Sequence, residues 1–156
     1  MALAIIGGQP ERFAPFVDLY RRAALQFNFD PKTLPVSINS HGFIADTKKQ
    51  AIGESFPAAQ AAMNKIGRER GWGPMQKSQY EAAAELRGSN FVGSPDDIIE
   101  KMLFQHSIFN HQRFLVQLSV GTMPHDKLMH AIELFGTRVA PVVRKEIASR
   151  VAVPAE

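Results

Sequence analysis

The chain has 156 residues, a net charge of +3, 45% hydrophobic and 21% charged residues, and no cysteine. That is the length of one domain with an ordinary globular balance, which excludes disorder, disulfides, thiolate metal sites and thiol catalysis. No apolar run approaches the roughly 20 residues of a membrane span, and the basic residues are scattered rather than striped, so neither a membrane nor nucleic acid is expected as a partner. A fragment of a bacterial-type cytoplasmic enzyme is the plain expectation.

Residues 2–6, Ala-Leu-Ala-Ile-Ile, read as a short buried strand that runs into Gly7-Gly8. Being apolar on both faces, it asks for a covered, central place in a sheet. Pro10 and Glu11 suit the first turn of a helix. Phe13, Phe16, Val17, Tyr20, Ala24 and Phe27 follow at helical spacing, until Asp30-Pro31 breaks the pattern. Residues 34–39 alternate as a second strand, with Val36 and Ile38 on one side and Ser37 and Asn39 on the other. Ser40-His41-Gly42 is expected to close it.

Asp46 or Thr47 then caps a helix that Pro57 is expected to interrupt and residues 58–66 to resume. Residues 67–73, ending in Trp72-Gly73, read as a loop before Pro74, and Ser78 opens a further helix carrying Tyr80, Ala83 and Ala84. Phe91-Val92-Gly93 is an apolar link. Ser94-Pro95-Asp96-Asp97 is the cleanest helix start in the chain, combining a cap, a first-turn proline and two favourable charges. Residues 112–120 alternate strictly, with Phe114, Val116, Leu118 and Val120 opposite Arg113, Leu115, Gln117 and Ser119. A last helix starts near His125-Asp126, and Pro141 is expected to kink or split it. Strands alternating with helices imply an α/β fold with a parallel sheet.

Several segments, in order, resemble the luciferase-like flavin-dependent monooxygenases. They are residues 7–16 with Leu19-Tyr20-Arg21, residues 41–47 with Ala51, residues 92–101, Arg113-Phe114, and residues 132–141. The resemblance implies a TIM-type (β/α)8 barrel that binds FMN, or in related enzymes the deazaflavin F420, at the C-terminal ends of its strands. Such enzymes oxygenate small organic substrates with O2. A complete barrel takes at least about 200 residues, so the chain is expected to be a partial barrel. Residues 1–150 would supply roughly the last three strand–helix units, and residues 151–156 a flexible tail. A flavin-dependent monooxygenase is implied, the isolated chain being an incomplete one that is not expected to be active alone and that binds flavin weakly or not at all. A silent half-barrel serving as an oligomerisation or partner module is the alternative. Raw sheet edges, and inward faces such as Val36/Ile38 and Phe114/Val116/Leu118 left without opposing strands, would make it a homo-oligomer or the partner of a separate N-terminal barrel half.

Four residues are assigned to the cofactor. Gly7 and Gly8 ahead of a helix start would let backbone amides approach a phosphate, Arg12 would add a charge, and Ser40 lies at a strand end where such barrels build their sites. His41, beside it, is the candidate catalytic acid, base or hydrogen-bonding group. Gln117 and Ser119 sit on the polar face of their strand, where they line a pocket or bond each other and water; the second reading is preferred. His106, His111, His125 and His130 lack ligand spacing and a completing carboxylate set, so no metal is expected.

Overall fold

The structure is a computed structural model and describes residues 1–152. Its strands are β1 (Ala2–Ala4), β2 (Ser37–Ile44), β3 (Phe91–Gly93) and β4 (Arg113–Gln117), all parallel. The helices are α1 (Ala14–Gln26), α2 (Lys48–Arg70), α3 (Lys77–Ala84), α4 (Pro95–Phe109), α5 (His125–Leu134) and α6 (Ala140–Ala152). The expected α/β class with a parallel sheet therefore stands.

β2 is the spine. Its first residues pair with β1 (Leu3 opposite Ile38) and with β4 (Ile38 opposite Phe114), and its last three pair with β3 (Phe43 opposite Val92). This corrects two expectations. Ser40-His41-Gly42 does not end the second strand but continues it, and Phe91-Val92-Gly93 is a fully buried strand rather than a link. Gly42 is the joint: a Cβ there would lie 2.5 Å from Val116 Cγ2 and 2.8 Å from the Phe91 carbonyl oxygen. Only glycine lets the β3 backbone come that close.

Register divides the sheet into two unlike faces. Leu3, Ile38 and Phe114 pair across one face, and Ile38 packs with Ile5, Val17, Val36 and Phe109 beneath α1 and α4. Phe114, Val116 and Leu118 join the larger core with Phe43, Phe91, Ile98 and Val139. Val36, Ile38, Phe114 and Val116 thus face helices rather than the open inward face expected for them, whereas Leu118 also lines a cavity at the strand ends. The opposite face is uncovered and mostly polar. Ser37, Asn39 and His41 are half-buried there, and Ala2, Ala4, Arg113, Leu115 and Gln117 are exposed. β1 accordingly is no central strand: among the described residues it pairs only with β2, and two of its three residues are exposed.

The helices show why their sequences fold as they do. Ser94 and Asp97 form a reciprocal capping box on α4. Thr47 caps α2 by accepting from the Gln50 amide at 3.2 Å. α2 then runs unbroken past Pro57, which is exposed, so the missing N–H falls on the solvent side of the helix and does not end it. It ends only at Gly71, whose φ of 72° makes a left-handed cap, so the expected loop begins later than residue 67. Pro141 does not split the final helix either. A π-turn, Phe135–Val139, sits just before it and widens the helix where the proline ring would clash and has no N–H to give. Of the expected tail, residues 151 and 152 belong to α6, and residues 153–156 lie outside the described residues.

One buried histidine sets an acid limit on this fold. His111 is 7% exposed, stacked near Phe114 with ring centroids 5.9 Å apart, and its Nδ1 has no partner among the described residues. Burial, with His106 alongside, pushes its pKa down to about 4. Between pH 6.5 and about 4 the unfolded chain therefore binds the extra proton and the folded one does not. Stability should fall through that window by about 3 kcal/mol. His111→Phe should flatten the slope and raise the melting temperature, as seen by thermal unfolding at pH 4.5 and 7.5. An unchanged slope contradicts this.

Candidate functional site

The open sheet face leads at its C-terminal end into a cavity of about 830 Å3, a size that suits a cofactor or a sizeable organic ligand (~300–1,000 Å3). Residues 6–8 after β1, 41–43 of β2 and 117–121 at the end of β4 form its floor. One stripe of α2, namely Ser55, Ala59, Ala62, Met63, Ile66 and Arg70, forms the facing wall. Trp72 and Met75 of the following loop, Tyr80 of α3, and Ser89 and Asn90 complete it.

The wall is held by side chains chosen for that task. Asn64 Oδ1 accepts from the Met75 amide at 2.8 Å, and Gln60 Nε2 donates to the Met75 carbonyl at 2.9 Å. These two bonds fasten the loop to α2. Tyr80 donates its hydroxyl to Ser55 Oγ at 2.9 Å, and Ser55 donates to the Ala51 carbonyl at 2.6 Å. Burial pushes the Tyr80 pKa up, so it stays a neutral phenol and a structural donor. Behind Asn90, the Lys101 ammonium donates to the carbonyls of Ala83, Glu85 and Asn90 at 3.2, 2.6 and 2.6 Å.

The floor carries the polar chemistry. His41 lies opposite Gln117 in register, on the open face, with Ser119 two residues further along the same side. Burial lowers the His41 pKa, so its imidazole is neutral near pH 7 and offers one donor and one acceptor. Gly7 and Gly8 are exposed, a Cβ at either would meet nothing within 4 Å, and Gly8 has φ +76°. Their backbone is free for a ligand to approach.

The structure thus brings Gly7, Gly8 and His41 to one cavity and leaves two of the expected residues outside it. Ser40 is fully buried, and its hydroxyl donates to the Ile5 carbonyl at 2.9 Å. Strand alternation is the reason: Ser40 falls on the helix-facing side and His41 on the open side. Arg12 is exposed on the 3-10 turn Pro10–Phe13 and does not line the cavity. Gln117 and Ser119, read as bonded to each other and water, instead border the cavity with no mutual bond. Met63, Arg70, Trp72 and Tyr80 also line the cavity, beyond the residues the sequence points to. Arg70 alone carries a sequence signal, the helical spacing of 55, 59, 62, 66 and 70 on a helix expected to break at Pro57.

No protein family and no curated protein matches the sequence. Solved structures do. Monooxygenase RslO1 from Streptomyces bottropensis superposes with a TM-score of 0.71 at 20% identity, over 90% of this chain and 40% of its own. The oxygenating constituent of 3,6-diketocamphane monooxygenase from Pseudomonas putida, in complex with FMN, gives 0.53 at 20% identity, over 80% and 38%. The coenzyme F420 dependent tetrahydromethanopterin reductase from Methanopyrus kandleri gives 0.57 at 18% identity, over 91% and 45%. The chain spans about 40% of the length of RslO1. The resemblance to luciferase-like flavin monooxygenases accordingly holds at the level of the fold. No helix among the described residues is long and apolar enough to cross a membrane.

Proposed function

We propose that this chain forms part of the flavin-binding end of a luciferase-type barrel and belongs to an oxidoreductase that takes FMN, or F420, and acts on a small organic substrate. The observation that carries the reading is the cavity at the C-terminal ends of three parallel strands, where barrel enzymes build their sites. The monooxygenase and reductase structures to which the chain is similar support it.

The residues present fit a flavin. The cavity is large enough, its far wall is apolar and aromatic, and its floor offers a small number of convergent polar groups. Gly7 and Gly8, with no side chain to obstruct, would admit the phosphate-bearing end, and His41, Gln117 and Ser119 would hydrogen-bond the polar edge of the ring. When bound, the flavin itself supplies the redox and oxygen chemistry. The chain contributes position and exclusion of water. A neutral His41 can donate to a carbonyl oxygen or accept from an N–H without changing charge. Met63, Ile66 and Trp72 add apolar surface to the lining.

The cavity opens onto an uncovered sheet face, so affinity should be modest. Titration with FMN, read by flavin fluorescence, should saturate with a Kd weaker than about 1 μM (about 8 kcal/mol). His41→Ala should weaken it several-fold and leave the melting temperature unchanged. An absence of saturable binding by both FMN and F420 contradicts the proposal. A lowered melting temperature with unchanged affinity would make His41 structural.

A further inference from the structure

Among the described residues, Arg70 is the only permanently charged side chain that lines the cavity, and no carboxylate does. Its guanidinium lies 5.5 Å from the centre of the Trp72 ring. It makes no ion pair or hydrogen bond with the described residues, and stacking on an indole leaves guanidinium N–H edges free to bind. Next to it, Met63, Ile66, Met75 and Trp72 form an apolar wall. The same lining carries the polar, uncharged side chains of His41, Gln117 and Ser119. The cavity therefore combines neutral hydrogen-bonding groups with an apolar stretch that bears one cation.

We propose that the organic substrate of this site is an amphipathic anion, its apolar body packed on Met63, Ile66 and Trp72 and its carboxylate, sulfonate or phosphate held by Arg70. The proposal deepens the flavin reading and rests on it for the word substrate. The anion site itself is a property of this chain and can be tested without flavin. Arg70 suits the task better than a lysine would. Its planar fork matches an oxyanion in two bonds, and the Trp72 ring orients it. A neutral or cationic ligand of the same shape would gain the apolar contact but leave the guanidinium unpaired or repelled.

Trp72 is the only tryptophan in the chain, so its emission reports on this wall alone. Decanoate, decanol and decyltrimethylammonium, below micelle-forming concentration, are titrated into the protein and into R70M and R70K. Decanoate should bind at least about ten-fold more tightly than the other two. R70M should abolish that preference, and R70K should keep part of it. Equal binding of the three ligands, or a preference that survives R70M, overturns the proposal. Parallel titrations with FMN and riboflavin separate the two sources of an anion. If R70M erases a preference for FMN over riboflavin while decanoate still binds selectively, Arg70 reads the flavin phosphate and the proposal fails. If neither flavin binds but the decanoate preference holds and depends on Arg70, the anion site stands and the flavin reading falls.

Discussion

Replacing Gly42 by alanine is expected to cost at least about 3 kcal/mol of stability. The added Cβ would sit 2.5 Å from Val116 Cγ2, 2.8 Å from the Phe91 carbonyl oxygen and 3.2 Å from Phe91 Cβ. Two of these neighbours cannot simply rotate away. The Phe91 oxygen belongs to the β3 backbone, and Phe91 itself is fully buried against Phe114, ring centroids 4.6 Å apart. Relief would require β3 to move off β2, and β3 carries the start of α4 directly behind it. Gly7→Ala is the control, because a Cβ there meets nothing within 4 Å; it should stay within about 0.5 kcal/mol of the parent. Urea unfolding of the two variants checks the contrast. Equal stabilities would mean that β3 does not press on β2 as described.

Lys101→Met is the second large effect, about 3 kcal/mol. Lys101 is 2% exposed, and its ammonium donates to three carbonyls. Methionine fills much the same volume but donates nothing, so those carbonyls lose a charged donor in a region water reaches poorly. Partial compensation comes from the lysine itself. Burial above all, helped by Lys48 and opposed by Glu85 and Asp97, pushes its pKa down to about 7. Between pH 7 and 10.5 the unfolded chain holds this proton and the folded chain sheds it, so the group makes stability rise with pH there. Lys101→Met should therefore be destabilising at neutral pH and should also remove that rise. It should loosen the 83–90 segment, which brings Ala83, Ser89 and Asn90 to the cavity, and hydrogen exchange of those amides would show it. Unchanged stability together with unchanged exchange would show that the three bonds hold nothing.

What was legible in the sequence follows from what is local. Ser94-Pro95-Asp96-Asp97 announces α4 because a cap, a proline and two carboxylates act within one turn. The alternation of residues 112–120 marks β4 and assigns its two faces, since a strand one residue out of step would bury Arg113 and expose Phe114. Ser40-His41-Gly42 misled because serine, histidine and glycine look like a turn. Only the distant Phe91-Val92-Gly93, supplying a partner for residues 42–44, makes them strand. The same extension decides the site. Alternation continues through residue 41, so His41 reaches the cavity and Ser40 turns its hydroxyl to Ile5. Which sheet face lies open was illegible for a similar reason: apolar Val36 and Ile38 suit an inward face or a helix-covered one equally, and the packing of α1 and α4 selects the second. Arg70, Trp72 and Tyr80 converge only because α2 passes Pro57 intact and the Asn64 and Gln60 side chains fold the next loop back onto it.

The central claim is that the strand-end cavity receives the flavin, and amide chemical shifts measured during an FMN titration test it most directly, at affinities too weak for other methods. Shifts should cluster at Gly7, Gly8, His41, Gln117 and Ser119, with smaller changes along residues 63–75 and none on the outer surface of α1 or α6. Resonances unmoved at millimolar FMN, or shifts gathered away from those strand ends, would contradict the account.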